Sequence, residues 1–120
     1  MTFENISPQA AYQKTKEGYV YLDVRTIEEF REGHAKGAIN IPIFIAAPGG
    51  RALNPNFLAL VTEKFPKETK LVLGCRSGGR SAKACELLEQ IGFTTLCNIN
   101  GGFIGSEESP GWQVLGLPCE

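Results

Sequence analysis

The sequence predicts an α/β fold, with a parallel sheet covered by helices on both faces. Three observations carry this prediction. Helix and strand signals alternate along the chain, the strand runs are apolar with little polar alternation, and charged clusters fall where two of those runs end.

The first helix signal is "ISPQAAYQKTKEG", with Ser7 as N-cap, Pro8 at the first helical position and Gly18 as the stop. "YVYLDV" (19–24) follows as a β-rich run of the kind buried on both faces. "TIEEFRE" contains a capping box from Thr26 to Glu29, so a short helix comes directly after that strand. "AINIPI" (38–43) predicts a brief strand ending at Pro42. The overlapping "IPIFIAAPGG" (41–50) reads as core strand and turn, with a rim that docks a protein thiol as the alternative. "NPNFLALVTEKF" (54–65) predicts a helix capped by Asn54 with Pro55 in its first position. "KLVLG" (70–74) is a further buried strand. "RSAKACELLEQIG" (80–92) sets Ala84, Leu88 and Ile91 on one helical stripe with Cys85 beside it, and Gly92 closes it. "TTLCNI" (94–99) is the last clear strand.

No repeat, linker or low-complexity tract interrupts this pattern, and 120 residues are expected to form one domain spanning 1–120. With 42% hydrophobic and 21% charged residues the composition is that of an ordinary globular protein. A net charge of -1 gives no global attraction for nucleic acid or for an anionic membrane, so any affinity for anions must be local. The first ten residues, "MTFENISPQA", carry neither a basic nor an apolar leader pattern, and no apolar run is long enough to span a bilayer. A cytoplasmic protein is expected, or an organellar one after loss of a transit peptide. Cys75, Cys85, Cys97 and Cys119 form no C-x-x-C pair and have no His at metal spacing, so neither zinc nor a disulfide framework is expected.

In parallel sheets, ligands bind beyond the carboxyl ends of the strands. That rule points to Asp23–Arg25 and to Cys75–Arg80. The segment "GCRSGGRS" comes within one residue of the phosphate-binding pattern G-x-x-x-x-G-K-[ST], but Arg80 stands where Lys is required. Arg is a planar fork and Lys a point charge, so the exchange is not conservative. No acidic residue on the later strand is placed to hold magnesium, and the nucleotide reading fails.

A thiolate site explains more of the same residues. Cys75 follows a strand and lies just before a helix N-terminus, whose partial positive charge and free N–H groups favour anions. Gly78 and Gly79 let the backbone curl so that successive N–H groups converge. Arg76 and Arg80 add full charges. Each feature favours the thiolate, which is the nucleophilic form. Cys85 on an apolar helix stripe and Cys97 inside a strand read as ordinary buried thiols, and Cys119 as a terminal bystander.

Taken together, "LDVR", "EEFREGHAKGAINIPI", "CRSGGRS", "NINGG" and the late "GLP" resemble a single-domain rhodanese over nearly the whole chain. The resemblance implies a central parallel five-stranded sheet with helices on both faces. It implies a sulfurtransferase that moves a sulfane sulfur from thiosulfate or a similar donor, through a Cys75 persulfide, to cyanide or a thiol. The alternative function is a sulfur carrier that docks protein partners in a persulfide relay.

By the same resemblance Arg76, Ser77, Gly78, Gly79 and Arg80 line the substrate, while Asp23, Arg25 and Ser81 support the site. His34 matches a family signature as a packing residue. The C-x4-R spacing of Cys75 and Arg80 is one residue shorter than the C-x5-R of related phosphatases and arsenate reductases, which favours sulfur over a phosphate ester. The expected partners are a small anionic sulfur donor and a thiol acceptor such as a thioredoxin-like protein, with no nucleic acid or membrane. The chain is expected to be a monomer needing no cofactor. One departure is an acidic insertion, 104–111, ahead of Trp112, where the family carries an aromatic residue soon after its Gly-Gly pair.

Overall fold

In the computed structural model, which describes residues 3–120, the chain runs β1 (Glu4–Ile6), α1 (Pro8–Lys16), β2 (Val20–Asp23), α2 (Ile27–Glu32) and β3 (Ile39–Asn40). It continues through β4 (Phe44–Ala47), β5 (Gly50–Leu53), α3 (Phe57–Lys64), β6 (Leu71–Gly74), α4 (Gly79–Gln90) and β7 (Leu96–Ile99). Five of the strands form one parallel sheet in the order β1-β7-β6-β2-β3.

Alternate side chains of its strands feed two cores. Leu22, Leu71, Leu73 and Leu96 pack on one face with Phe57 and Val61 of α3 and Ala84, Cys85 and Leu88 of α4. Tyr21, Val72, Cys97 and Ile99 pack on the other with Ala11 and Tyr12 of α1 and with Trp112. Burial on both faces is why the strand runs lack polar alternation.

Two helix starts follow their sequence signals. Ser7 Oγ accepts the amide of Ala10 at 3.1 Å with Pro8 opening α1, and Thr26 and Glu29 form the reciprocal capping box of α2. Helix α3 departs from expectation. Its N-cap is Asn56, while Asn54 braces the preceding turn by accepting the Asn56 amide at 3.0 Å and donating to the Pro42 carbonyl at 3.0 Å. Both of its polar atoms are thereby used ahead of the helix, which leaves Pro55 in the turn.

The strand expected over 38–43 shortens to Ile39–Asn40, because it pairs with β2 alone and Pro42 has no N–H to extend the ladder. The core strand expected in 41–50 is instead the first arm of an antiparallel hairpin, β4 with β5. Ile41 and Ile43 enter the core, but Ile45 and Leu53 on the hairpin are 40% and 46% exposed.

Candidate active site

The register of the sheet brings the two charged clusters together. Asp23 is opposite Gly74, and the amide of Val24 donates to the Gly74 carbonyl at 3.0 Å, so β2 and β6 end side by side. Gly74 lacks a Cβ for a packing reason, since the Tyr21 hydroxyl and ring occupy the space one would need.

Cys75 is the first residue beyond β6 and is 1% exposed. Its Sγ accepts the amide of Gly78 at 3.1 Å and lies 3.4 Å from the Ser81 hydroxyl. Gly78 is the N-cap of α4 at φ +119°, a conformation that disfavours any side chain. Gly79 differs from expectation, because its φ is not positive and a Cβ there would meet nothing within 4 Å. Its missing side chain leaves space above the loop rather than permitting the turn.

The loop is clamped from behind by the segment after β7. Phe103 donates to the Cys75 carbonyl at 2.8 Å, and Ile104 donates to the Arg76 carbonyl at 2.9 Å. Gly102, at φ +55°, lies so close that an added Cβ would overlap the Cys75 carbonyl oxygen.

Ser81 is fully buried, and its hydroxyl lies within hydrogen-bonding reach of three acceptors, Asn98 Oδ1, the Gly78 carbonyl and Cys75 Sγ, with one proton to donate to one of them at a time. The Asn98 amide is oriented by donating to the Gly78 carbonyl at 3.2 Å and to Asn5 Oδ1 at 2.9 Å, so its oxygen faces Ser81. A polar chain thus runs from the edge strand under the loop to the sulfur. Asn98 and Asn5 escaped the sequence reading, although a polar residue in the apolar run of β7 was the available signal.

The four basic and acidic groups sort into two pairs. Asp23 and Arg25, 1% and 3% exposed, form a buried fork: Arg25 donates from Nη2 at 2.8 Å and from Nε at 3.0 Å. Nη2 also donates to the Gly33 carbonyl at 2.8 Å, and the guanidinium lies 4.5 Å over the Phe103 ring. Arg80 donates bidentately to Glu29 at 2.7 and 2.9 Å. The Arg80 guanidinium, foremost, and the Thr26 amide hold the Glu29 carboxyl down at about 2, against the opposing effect of burial. Hence Arg80 does not bring a free charge to the loop, as its position in the sequence suggested. Arg76 and Ser77 are exposed, and Arg76 borders a small cavity of about 110 Å³ with Arg25, Glu29, Glu32 and Phe103.

The remaining candidates lie outside this cluster. His34 stacks on Phe30 at 3.6 Å and its Nδ1 is 2.8 Å from the Phe30 carbonyl, a packing arrangement. Burial pushes the thiols of Cys85 and Cys97 upward, which leaves them thiols in the core, whereas Cys119 is exposed near the C-terminus. Trp112 is 1% exposed, packs edge-on against Tyr12 and Tyr21 at 5.8 and 5.2 Å, and donates to the Pro118 carbonyl at 2.8 Å. The insertion ahead of it turns through Ser106 and Ser109 at the surface, so Trp112 belongs to the core and not to the pocket wall. Among the described residues no group of three or more His, Cys, Asp or Glu could hold a metal ion, and no helix is long and apolar enough to cross a membrane.

The Rhodanese-like domain family matches residues 7–107. This chain belongs to that family. It is 41% identical over 116 residues to "Thiosulfate sulfurtransferase 16, chloroplastic" of Arabidopsis thaliana, covering 97% of this chain and 92% of the relative. Thiosulfate sulfurtransferase 18 of the same plant is 38% identical over 105 residues, covering 84% and 77%. Among solved structures, the crystal structure of Rv0390 from M. tuberculosis superposes with a TM-score of 0.83 at 27% identity, covering 100% of this chain and 98% of that one. A rhodanese-like domain protein from Staphylococcus aureus superposes at 0.70 with 26% identity, covering 96% of each. The parallel five-stranded sheet is the fold these rhodanese-like domains share.

Proposed function

We propose that this chain is a sulfurtransferase that carries a sulfane sulfur on Cys75. The observation that supports this most directly is the sulfur itself, shielded from solvent, at the carboxyl end of β6, with the Gly78 amide donating to it at 3.1 Å. The short Cys75-to-Arg80 spacing favours one sulfur atom over a tetrahedral oxyanion. Relatives named thiosulfate sulfurtransferases at about this level of similarity support the same chemistry.

The reaction is a double displacement. The Cys75 thiolate uses an electron pair to bond the outer sulfur of thiosulfate, the old S–S bond breaks, and its pair leaves with sulfite. The persulfide anion keeps the negative charge and is held by the Gly78 amide, with the Ser81 hydroxyl beneath. An acceptor thiolate or cyanide then bonds the outer sulfur and returns Cys75 as thiolate. Arg76, exposed at the mouth, attracts the anionic donor, while Asp23 and Arg25 act as a brace.

The apolar depression between α2 and β4, bordered by Ile27, Phe44 and Ile45, favours a second reading, in which the acceptor is a protein thiol that docks there. After exposure to thiosulfate, intact-protein mass spectrometry is expected to show one added sulfur, removed by cyanide and absent from Cys75→Ser. An adduct that persists in Cys75→Ser, or no adduct in the native chain, would overturn the assignment. Comparing turnover with cyanide against turnover with a reduced thioredoxin-like protein separates the two acceptors.

A further inference from the structure

The loop places two arginines beside Cys75, yet the structure allows only one of them to act as a free charge. Both outer nitrogens of Arg80 are taken by the two oxygens of Glu29, and the side chains are only 15% and 20% exposed. Glu29 is itself anchored, since its Oε1 also accepts from the Thr26 amide and hydroxyl, each at 3.0 Å. A carboxylate held from both sides does not swing away when a ligand arrives. Arg25, which lines the cavity together with Arg76, is neutralised by Asp23. Among the described residues of the loop and cavity Arg76 is left as the uncompensated cation, and Glu32 borders the same cavity.

From this arrangement, and resting on the sulfur-transfer reading, we propose that Glu29 is a specificity-determining residue. By discharging Arg80 it shifts the site away from dianionic sulfur donors and toward singly charged or neutral ones. Arg80 stands in the first turn of α4, two residues beyond the Gly78 whose amide donates to the Cys75 sulfur, so a freed Arg80 would be felt where the donor binds. One unit charge a few ångströms away in a partly screened site changes the preference for one extra negative charge by about tenfold. Glu29 therefore has two tasks, capping α2 and setting the charge of the loop.

The two tasks can be separated. Glu29→Gln keeps an acceptor for the Thr26 amide, because Gln serves in a capping box, but removes the charge that opposes Arg80. The first readout is kcat/KM for thiosulfate divided by kcat/KM for the methanethiosulfonate anion, a singly charged sulfur donor. The second does not depend on sulfur transfer: the rate of Cys75 alkylation by iodoacetate divided by that by iodoacetamide, in a Cys119→Ser background. Each ratio cancels the thiolate fraction. Both are expected to rise about tenfold in Glu29→Gln. In the double variant Glu29→Gln with Arg80→Gln, a neutral pair replaces a neutral pair, and both ratios should return to the native value. An unchanged alkylation ratio in Glu29→Gln, or a double variant well below native, overturns the assignment. A raised alkylation ratio with no turnover of either donor would instead retire the sulfur-transfer reading and leave the charge role of Glu29 standing.

Discussion

Replacing Gly102 with Ala should damage a loop that lies far from it in sequence. The new methyl group would sit at φ +55°, in the left-handed region, which costs about 1 kcal/mol for a residue with a Cβ. It would also overlap the Cys75 carbonyl oxygen and approach the Arg76 carbonyl carbon and oxygen at 2.9 Å. These neighbours are backbone atoms, so no side chain can rotate out of the way, and overpacking of this kind costs roughly 1–3 kcal/mol. The total, about 2–4 kcal/mol, corresponds to a fall in Tm of roughly 8–16 °C for a chain of this length. Denaturant unfolding measures the first quantity. The loop should yield before the sheet does, so Cys75 alkylation at a temperature well below the transition should also change rate. A Gly102→Ala protein with native stability and native Cys75 reactivity would refute the clamp between this glycine and the loop.

Asp23→Ala should remove the partner of a guanidinium that is 3% exposed and destabilise the chain by roughly 3–5 kcal/mol in urea unfolding; a loss near the 1 kcal/mol of a surface pair would show that Arg25 finds water instead. The Glu29–Arg80 pair should make its contribution pH-dependent. The folded carboxyl lies at about 2, below its ordinary 4.5, so the stabilisation is complete above the ordinary value and is lost as pH falls through the folded one. Partial exposure screens the pair, and about 1–2 kcal/mol is expected. Unfolding free energies of the native chain and Glu29→Gln should therefore converge between roughly pH 4.5 and 2, whereas parallel curves would count against the pair.

Local signals gave the fold where a signal has one physical meaning. Ser7 with Pro8, and Thr26 with Glu29, start helices because each supplies acceptors for otherwise unpaired amides. The Asn54-Pro55 pair misled because Asn54 had a competing use, bracing the turn against the Pro42 carbonyl. The β4–β5 hairpin was illegible because an apolar run says nothing of which face it buries, and Ile45 points outward there. Strand β1 is three residues long and is recruited by its pairing with β7, a contact across nearly the whole chain.

The site divides in the same way. Cys75 was legible from its neighbours, because a glycine-rich loop and a helix start beside a thiol can aim an N–H at the sulfur, as the Gly78 amide does. The destination of Arg80 was not, since it depends on α2 lying beside the loop, 51 residues earlier in sequence. Asn98 was hidden by its surroundings, although its polarity in a buried strand marks the network that reaches the sulfur.

Trp112 is the one tryptophan of the chain, buried edge-on against Tyr21, whose ring in turn fills the space above Gly74, next to Cys75. Its fluorescence therefore has a single origin, in the core on the α1 face of the sheet. The protein carries a built-in optical gauge of that core, linked to the nucleophile through Tyr21 and Gly74 yet screened from the solvent in which donors and acceptors arrive.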